Sequence, residues 1–276
     1  MKDKRVGYNM LVRRLLWVGL CLPVVLLAKV HYAKVEPYET VVLKSAVSGL
    51  VMDVDLGAEG TLVNNKRVIH IDDILDKSNL EDTKQSILLL EKMLGINHEI
   101  ASSLVGSVKR QEGYFKRISK LSTASKTQKD NAYSSFSSAK TQYLTIKEKI
   151  VSLEKQILDM KYKSSQLEDT LRKKSIIPDN KYLYKLSVRK GDYVAPGSAL
   201  AELHDASRAK LVVFLEPEEL KEIESKSVFI DGKHTDFKID KIWRVADEKF
   251  ISSYRAEIYI PAPKNEFSKL IKVEIK

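Results

Sequence analysis

Cysteine occurs once in the 276 residues, at Cys21, so no intramolecular disulfide can staple the fold. Leu20 directly before it is a poor match to a lipoprotein processing site, and lipidation of Cys21 is not expected. The five histidines, His31, His70, His98, His204 and His234, are scattered without metal-ligand spacing. No glycine-rich phosphate loop is present. No nucleophile, base and orienting group stand together either. The acids Asp72, Asp73, Asp205, Glu216, Glu218 and Glu219 fall at expected strand ends and at a helix start, where structural caps are commoner than catalysts. The net charge of +10 could suggest nucleic acid or anionic lipid, but the lysines alternate with glutamates along helical stretches and no basic-aromatic recognition motif accompanies them. The sequence therefore predicts no enzyme, no cofactor, no metal and no nucleic-acid partner.

What is present begins at the N-terminus. Lys2, Lys4, Arg5, Arg13 and Arg14 precede the apolar run Leu15–Ala28. That run is short for a membrane span and close to the core of a signal peptide. Lys29 can snorkel, however, and apolar residues resume at Val30 and Tyr32, so a helix over 15–33 is expected to cross a bilayer. No small-x-small cleavage site follows, which favours an uncleaved signal-anchor over a cleaved peptide. In either case the basic flank over 1–14 stays cytoplasmic and the chain after Val35 is exported.

The longest signal in the chain is helical. Leu80, Thr83, Ile87, Leu90, Leu94, Asn97, Ala101, Leu104, Val108, Gln111, Phe115 and Ile118 follow one another at alternating steps of three and four. Phe136, Ala139, Tyr143, Ile146, Ile150, Leu153, Ile157, Met160, Ser164, Leu167 and Leu171 repeat the pattern. A seam of period 3.5 keeps two supercoiled helices in contact, and the intervening Lys, Glu, Ser and Gln suit solvent. With only 121–125 to turn in, the two helices are expected to lie antiparallel as a hairpin over 74–175.

β-prone segments flank the hairpin. After a short linker containing Pro37, residues 41–71 read as strands and turns. After Pro178-Asp179-Asn180 the pattern returns: Val54-Asp55-Leu56-Gly57-Ala58-Glu59-Gly60-Thr61-Leu62-Val63 is echoed by Leu186-Ser187-Val188-Arg189-Lys190-Gly191-Asp192-Tyr193-Val194. Gly60 and Gly191 each precede a valine by three positions, and each copy runs into a turn and a closing apolar strand. Two similar β units separated by a long insertion predict one small β domain, whose halves over 34–73 and 176–206 are brought together by the hairpin. Gly49, Gly60, Gly191 and Gly197 are its expected turn glycines.

In this order and spacing the chain resembles the haemolysin-D-like membrane fusion proteins, or periplasmic adaptors, from about Arg13 onwards. The resemblance implies an α+β protein: an N-terminal transmembrane helix, a split biotinyl/lipoyl-like β domain, a long coiled-coil hairpin and a small C-terminal β-barrel over 207–276. Members that dock to a TolC-like outer-membrane channel share an Arg-x-x-x-Leu element and a Ser opening the descending helix. Arg117-Ile118-Ser119-Lys120-Leu121 followed by Ser125 resembles it, in a loop shorter than is common there. The resemblance thus implies that Arg117, Leu121 and Ser125 meet the channel. Ser125 also suits a plain helix N-cap, Arg117 a solvated charge and Leu121 the end of the seam. A swinging-arm lysine is not expected, since Val51-Met52-Asp53-Val54 carries none.

In the C-terminal segment, Lys210–Leu215 predicts a strand and Glu216-Pro217-Glu218-Glu219 a short helix to about Ser225. Val228–Ile230, Phe237–Trp243, Tyr254–Ile260 and Leu270–Ile275 predict further strands. The chain stops at Lys276, before any additional membrane-proximal domain, which favours secretion over drug efflux. The resemblance implies a homo-oligomer in the bacterial inner membrane, mostly periplasmic, linking an inner-membrane transporter of ABC type to a TolC-like channel for export. Two other readings stand beside it: a scaffold for polysaccharide synthesis or export, and a structural coiled-coil tether.

Overall fold

The computed structural model describes residues 29–246, 249–250, 252–263 and 267–276. These fall into two compact units, one over Val41–Leu203 and the other built from the N-terminal segment to Thr40 with His204–Lys276.

In the first unit, two helices form the antiparallel hairpin: α1, Ile74–Lys120, and α2, Lys126–Lys174, of 47 and 49 residues. At about 1.5 Å per residue each runs roughly 70 Å. Every seam position from Leu80 to Leu171 is buried or half-buried, and Ala132 extends the seam by one turn towards the loop. The ion pairs Lys84–Glu168 and Glu91–Lys161, both at 2.9 Å, bridge the helices. Near the loop, Phe115 stacks on Phe136 with centroids 6.1 Å apart and tilts against Tyr133 at 5.4 Å. Such aromatic contacts add about 1 kcal/mol beyond their burial. Arg172, Lys173 and Lys174 complement the negative end of the α2 dipole.

The two β segments flanking the hairpin share one core of Val51, Val63, Ile69, Ile71, Leu183, Leu186, Val194 and Leu200. Strand β2 (Gly49–Val54) lies between β4 (Ile69–Ile71) and β7 (Tyr193–Val194), β4 also pairs with the short β5 (Ser175–Ile176), and β3 (Thr61–Val63) pairs with β6 (Lys181–Leu186). The internal repeat is visible in the hydrogen bonds. The Gly60 amide donates to the Leu183 carbonyl at 2.8 Å, and the Gly191 amide donates to the Val51 carbonyl at 2.9 Å. Gly60, Gly191 and Gly197 all have positive φ, at 78°, 95° and 94°, and Val63 and Val194 are buried. Gly49 is needed for another reason: a Cβ there would stand 2.6 Å from Ile71 Cγ2.

The second unit takes β1 (Val30–Lys44) up to Thr40 and β8 (Ala199–Leu215) from His204, with β9 (Val228–Ile230), β10 (Lys233–Thr235), β11 (Lys241–Ala246), β12 (Tyr254–Pro261) and β13 (Leu270–Ile275). These strands lie in the order β10-β9-β13-β1-β8-β12-β11. Alternate residues point inward: Ala33 and Val35 from β1, Ala209, Leu211, Val213 and Leu215 from β8, Ala256 and Ile258 from β12, Val273 and Ile275 from β13. Each large aliphatic side chain buried in this way is worth roughly 1.5–3 kcal/mol.

The structure corrects several expectations. A helix cannot extend to 33, because Val30–Lys34 pair with Leu270–Glu274 as a strand. The part of the expected anchor over 15–28 lies outside the described residues. Pro37 is not in a linker; it lies inside β1. Residues to Thr40 belong to the second unit, so the first β half starts at Val41 instead of 34. The Glu216–Ser225 helix is replaced by turns ending in a 3-10 turn at Ile223–Ser225. The Glu219 carboxylate accepts from the Glu216 amide at 2.8 Å, which resembles a helix start, but Glu222 at φ 55° turns the chain away. The strand expected from Phe237 starts only at Lys241.

Candidate interfaces on the hairpin

The hairpin turn exposes the residues singled out in the sequence. Leu121, with extended backbone, ends α1, and its side chain is 49% exposed; Arg117, one turn earlier, is also exposed. Ser125 is occupied differently. Its hydroxyl accepts from the Gln128 amide at 3.3 Å, while the Gln128 side chain accepts from the Ser125 amide at 2.9 Å. This reciprocal capping box satisfies two of the free N–H groups at the start of α2. The turn thus brings Arg117 and Leu121 to the surface and commits Ser125 to the helix start. On the adjoining turn, Lys116 holds the Glu112 carboxyl below its usual range by hydrogen bond and charge.

The flanks of the rod hold what the sequence reading missed. The positions between the seam residues are not all polar. Leu89, Met93, Ile96 and Ile100 are exposed by 64, 43, 50 and 41%, and Leu144, Val151 and Leu158 by 52, 62 and 67%. The first row sits one residue before the seam positions Leu90, Leu94, Asn97 and Ala101. The second sits one residue after Tyr143, Ile150 and Ile157. Lys84, Glu91, Lys161 and Glu168 also follow seam residues by one, and they pair across the groove. The α2 row therefore shares the flank of these ion pairs. The α1 row lies on the opposite flank, where Leu89 borders an open groove with Ser86, Gln156 and Asp159. In the antiparallel register set by Glu91–Lys161, Ile100 and Val151 stand at the same height along the rod. A second spacing of four and three beside the seam was the signal in the sequence.

Among the described residues, no group of three or more His, Cys, Asp or Glu is placed to hold a metal ion, and no helix is long and apolar enough to cross a membrane. The polar cluster of the second unit is structural. Buried Glu257 accepts from Arg255 at 2.7 Å and from the Tyr259 hydroxyl at 3.3 Å. Burial and then the Glu257 charge push the Tyr259 phenol up.

No protein-family profile matches the chain, and no curated protein matches it in sequence. Solved structures do match. The crystal structure of MacA from Actinobacillus actinomycetemcomitans is similar at a TM-score of 0.69 and 14% identity, covering 90% of this chain and 78% of that one. The membrane fusion protein Spr0693 from Streptococcus pneumoniae is similar at 0.54 and 8% identity, over 90% of this chain and 99% of that one. A MacA–MexA chimera carrying the Pseudomonas aeruginosa MexA α-hairpin domain matches at 0.51 and 16%, over 90% and 78%. The α-helical hairpin set between paired β segments, with the further sheet unit, is accordingly the fold shared with MacA and the membrane fusion protein Spr0693.

Proposed function

We propose that this protein is a periplasmic adaptor, anchored in the inner membrane of a double-membraned bacterium, that links an inner-membrane transporter of ABC type to a TolC-like outer-membrane channel for export. The observation that carries the reading is the hairpin turn: two helices of 47 and 49 residues hold an exposed Arg117 and Leu121 at their far end. A rod of roughly 70 Å has a length suited to bridging and buries little on its own account. Energy for transport comes from the transporter, because this chain has no phosphate-binding loop.

The working unit in this reading is a homo-oligomer. An apolar row on each flank of the rod, at overlapping heights, allows one copy's Leu89–Ile100 row to meet the next copy's Leu144–Leu158 row. Repetition of that unlike-faced contact builds a ring where the rotation between copies closes. Export in cells tests the channel contact: Arg117→Glu and Leu121→Ser abolish export while the hairpin stays folded by circular dichroism. Unimpaired export by both variants rules out tip docking.

One observation favours the second reading, a coiled-coil tether or polysaccharide-complex scaffold: the Ser125 hydroxyl is spent on the capping box. That reading predicts that shortening both helices by matched heptads disrupts function and that tip chemistry does not matter.

A further inference from the structure

The first described residues leave no slack between the apolar run and the folded chain. The run ends at Ala28, and β1 begins at Val30. Val30 is already opposite Glu274 in β13. The Lys29 ammonium pairs with the Glu216 carboxylate, and His31 Nε2 lies 2.7 Å from Glu219 Oε1. The residue that leaves the apolar run is thus fastened to one end of the sheet unit.

That end can be mapped. Glu216 follows directly on Leu215, which pairs with Tyr254 where β8 ends and the antiparallel β12 begins. Glu216 also borders a cleft of about 420 Å³ with Pro217, Glu218, Ala246, Ser252 and Tyr254. Beside this cleft, Val245 is 78% exposed and Phe250 51%, with the Phe250 ring 4.3 Å from that of Phe214. Two apolar side chains therefore face outward where the apolar run joins the fold.

We infer that this end of the sheet unit rests on the lipid bilayer, with Val245 and Phe250 in the headgroup region. The inference rests on reading Leu15–Ala28 as a membrane anchor. Read as a helix, a run of about 14 residues would reach only about 21 Å, against a hydrocarbon core of about 30 Å. A span that short thins the bilayer around it, which brings the headgroups to its flank, and here the flank is the sheet unit. Glu216 and Glu219 are engaged by Lys29 and His31, while Glu218 lines the cleft and Arg244 and Lys249 precede Val245 and Phe250, so salt dependence separates an apolar contact from an electrostatic one. Aromatic and aliphatic side chains at such a boundary are stabilised by partial burial without crossing the membrane.

The test uses the full chain with Cys21→Ala, a single cysteine introduced as Phe250→Cys or, separately, Val245→Cys, and an environment-sensitive fluorophore on that cysteine. The proteins are reconstituted into phosphatidylcholine vesicles with and without lipid carrying a shallow nitroxide. Expected are vesicle flotation, a blue-shifted emission and at least twofold quenching at both positions, unchanged by salt, with no quenching at a Leu121→Cys reference. Flotation without quenching at 245 and 250 overturns the inference and leaves the anchor reading standing. Failure to float, with the chain folded by circular dichroism, overturns both.

Discussion

Lys174, the last residue of α2, donates to the carbonyl oxygen of Asp72 at 2.6 Å, two residues before α1 begins. The same ammonium pairs with the Asp76 carboxylate inside the first turn of α1, and Lys174 is only 12% exposed. The two ends of the hairpin are therefore locked together by one side chain at its base. A partly buried charge holding two acceptors is worth more than a surface ion pair. Lys174→Met keeps the aliphatic stem and removes the clasp. It should cost about 1–2 kcal/mol, read as a lower denaturation midpoint; an unchanged midpoint would mean the base is held by packing alone.

Gly49 predicts a sharper effect. Its missing Cβ leaves room for Ile71 Cγ2, and Ile71 is fully buried in the β core. Gly49→Ala should destabilise by about 1–3 kcal/mol through overpacking. At Gly197 a Cβ meets open space and only the backbone at φ 94° resists, so Gly197→Ala should cost about 1–2 kcal/mol. If thermal melting ranks the pair in reverse order, the packing around Gly49 is looser than described.

The flank rows give a test by charge exchange. Ile100→Lys and Val151→Glu each place a charge in one apolar row, and within a single hairpin the two positions lie on opposite flanks. Each substitution alone should abolish self-association in sedimentation while leaving helix content unchanged. The double variant should recover association, because the ammonium introduced at position 100 of one copy then meets the carboxylate introduced at position 151 of the next. No recovery, or association undisturbed by either single change, removes these rows from the interface.

Acid should loosen the second unit through Glu274. Lys272 first, and Lys276 after it, hold this carboxyl far below its ordinary 4.5, at about 2. A depressed carboxylate contributes stability that is complete above its unfolded value and lost as pH falls through its folded value. The loss therefore falls between about pH 4.5 and pH 2. Glu274→Gln should flatten that part of the stability profile and leave the neutral region with the same slope; an unchanged acid limb would assign it to other carboxylates.

Asn97 is buried in the seam with its Oδ1 unpartnered, although its Nδ2 donates to Met93 O at 2.7 Å. Asn97→Leu should raise hairpin stability, because a polar group at a seam position costs stability in exchange for register. A fall in the denaturation midpoint would show that the Asn amide is needed where it stands.

The seam was legible because burial in a two-helix rod follows a period of 3.5, so Leu90, Ile150 and Ile157 announce their partners from spacing alone. The repeat around Gly60 and Gly191 was legible because both turns need the same backbone. The start of β1 was hidden: Val30 to Ala33 continue the apolar run in sequence, and only pairing with β13 makes them a strand. Glu216-Pro217-Glu218-Glu219 carried a helix-start signature that the left-handed Glu222 cancels. At the turn, sequence pointed to Arg117, Leu121 and Ser125 alike, and only the geometry separates the two exposed side chains from the capping Ser125. The flank rows were written in the sequence but masked by the stronger seam beside them.

The most direct test of the adaptor account is photo-crosslinking from the hairpin turn in the native envelope. A photoreactive residue replaces Leu121, and the crosslinked full-length protein is purified from mild detergent for mass spectrometry. The account predicts an outer-membrane channel crosslinked at the turn and an inner-membrane transporter co-purifying with the same complex. Recovery of a glycosyltransferase or synthase without a channel, or of this protein alone, would contradict it.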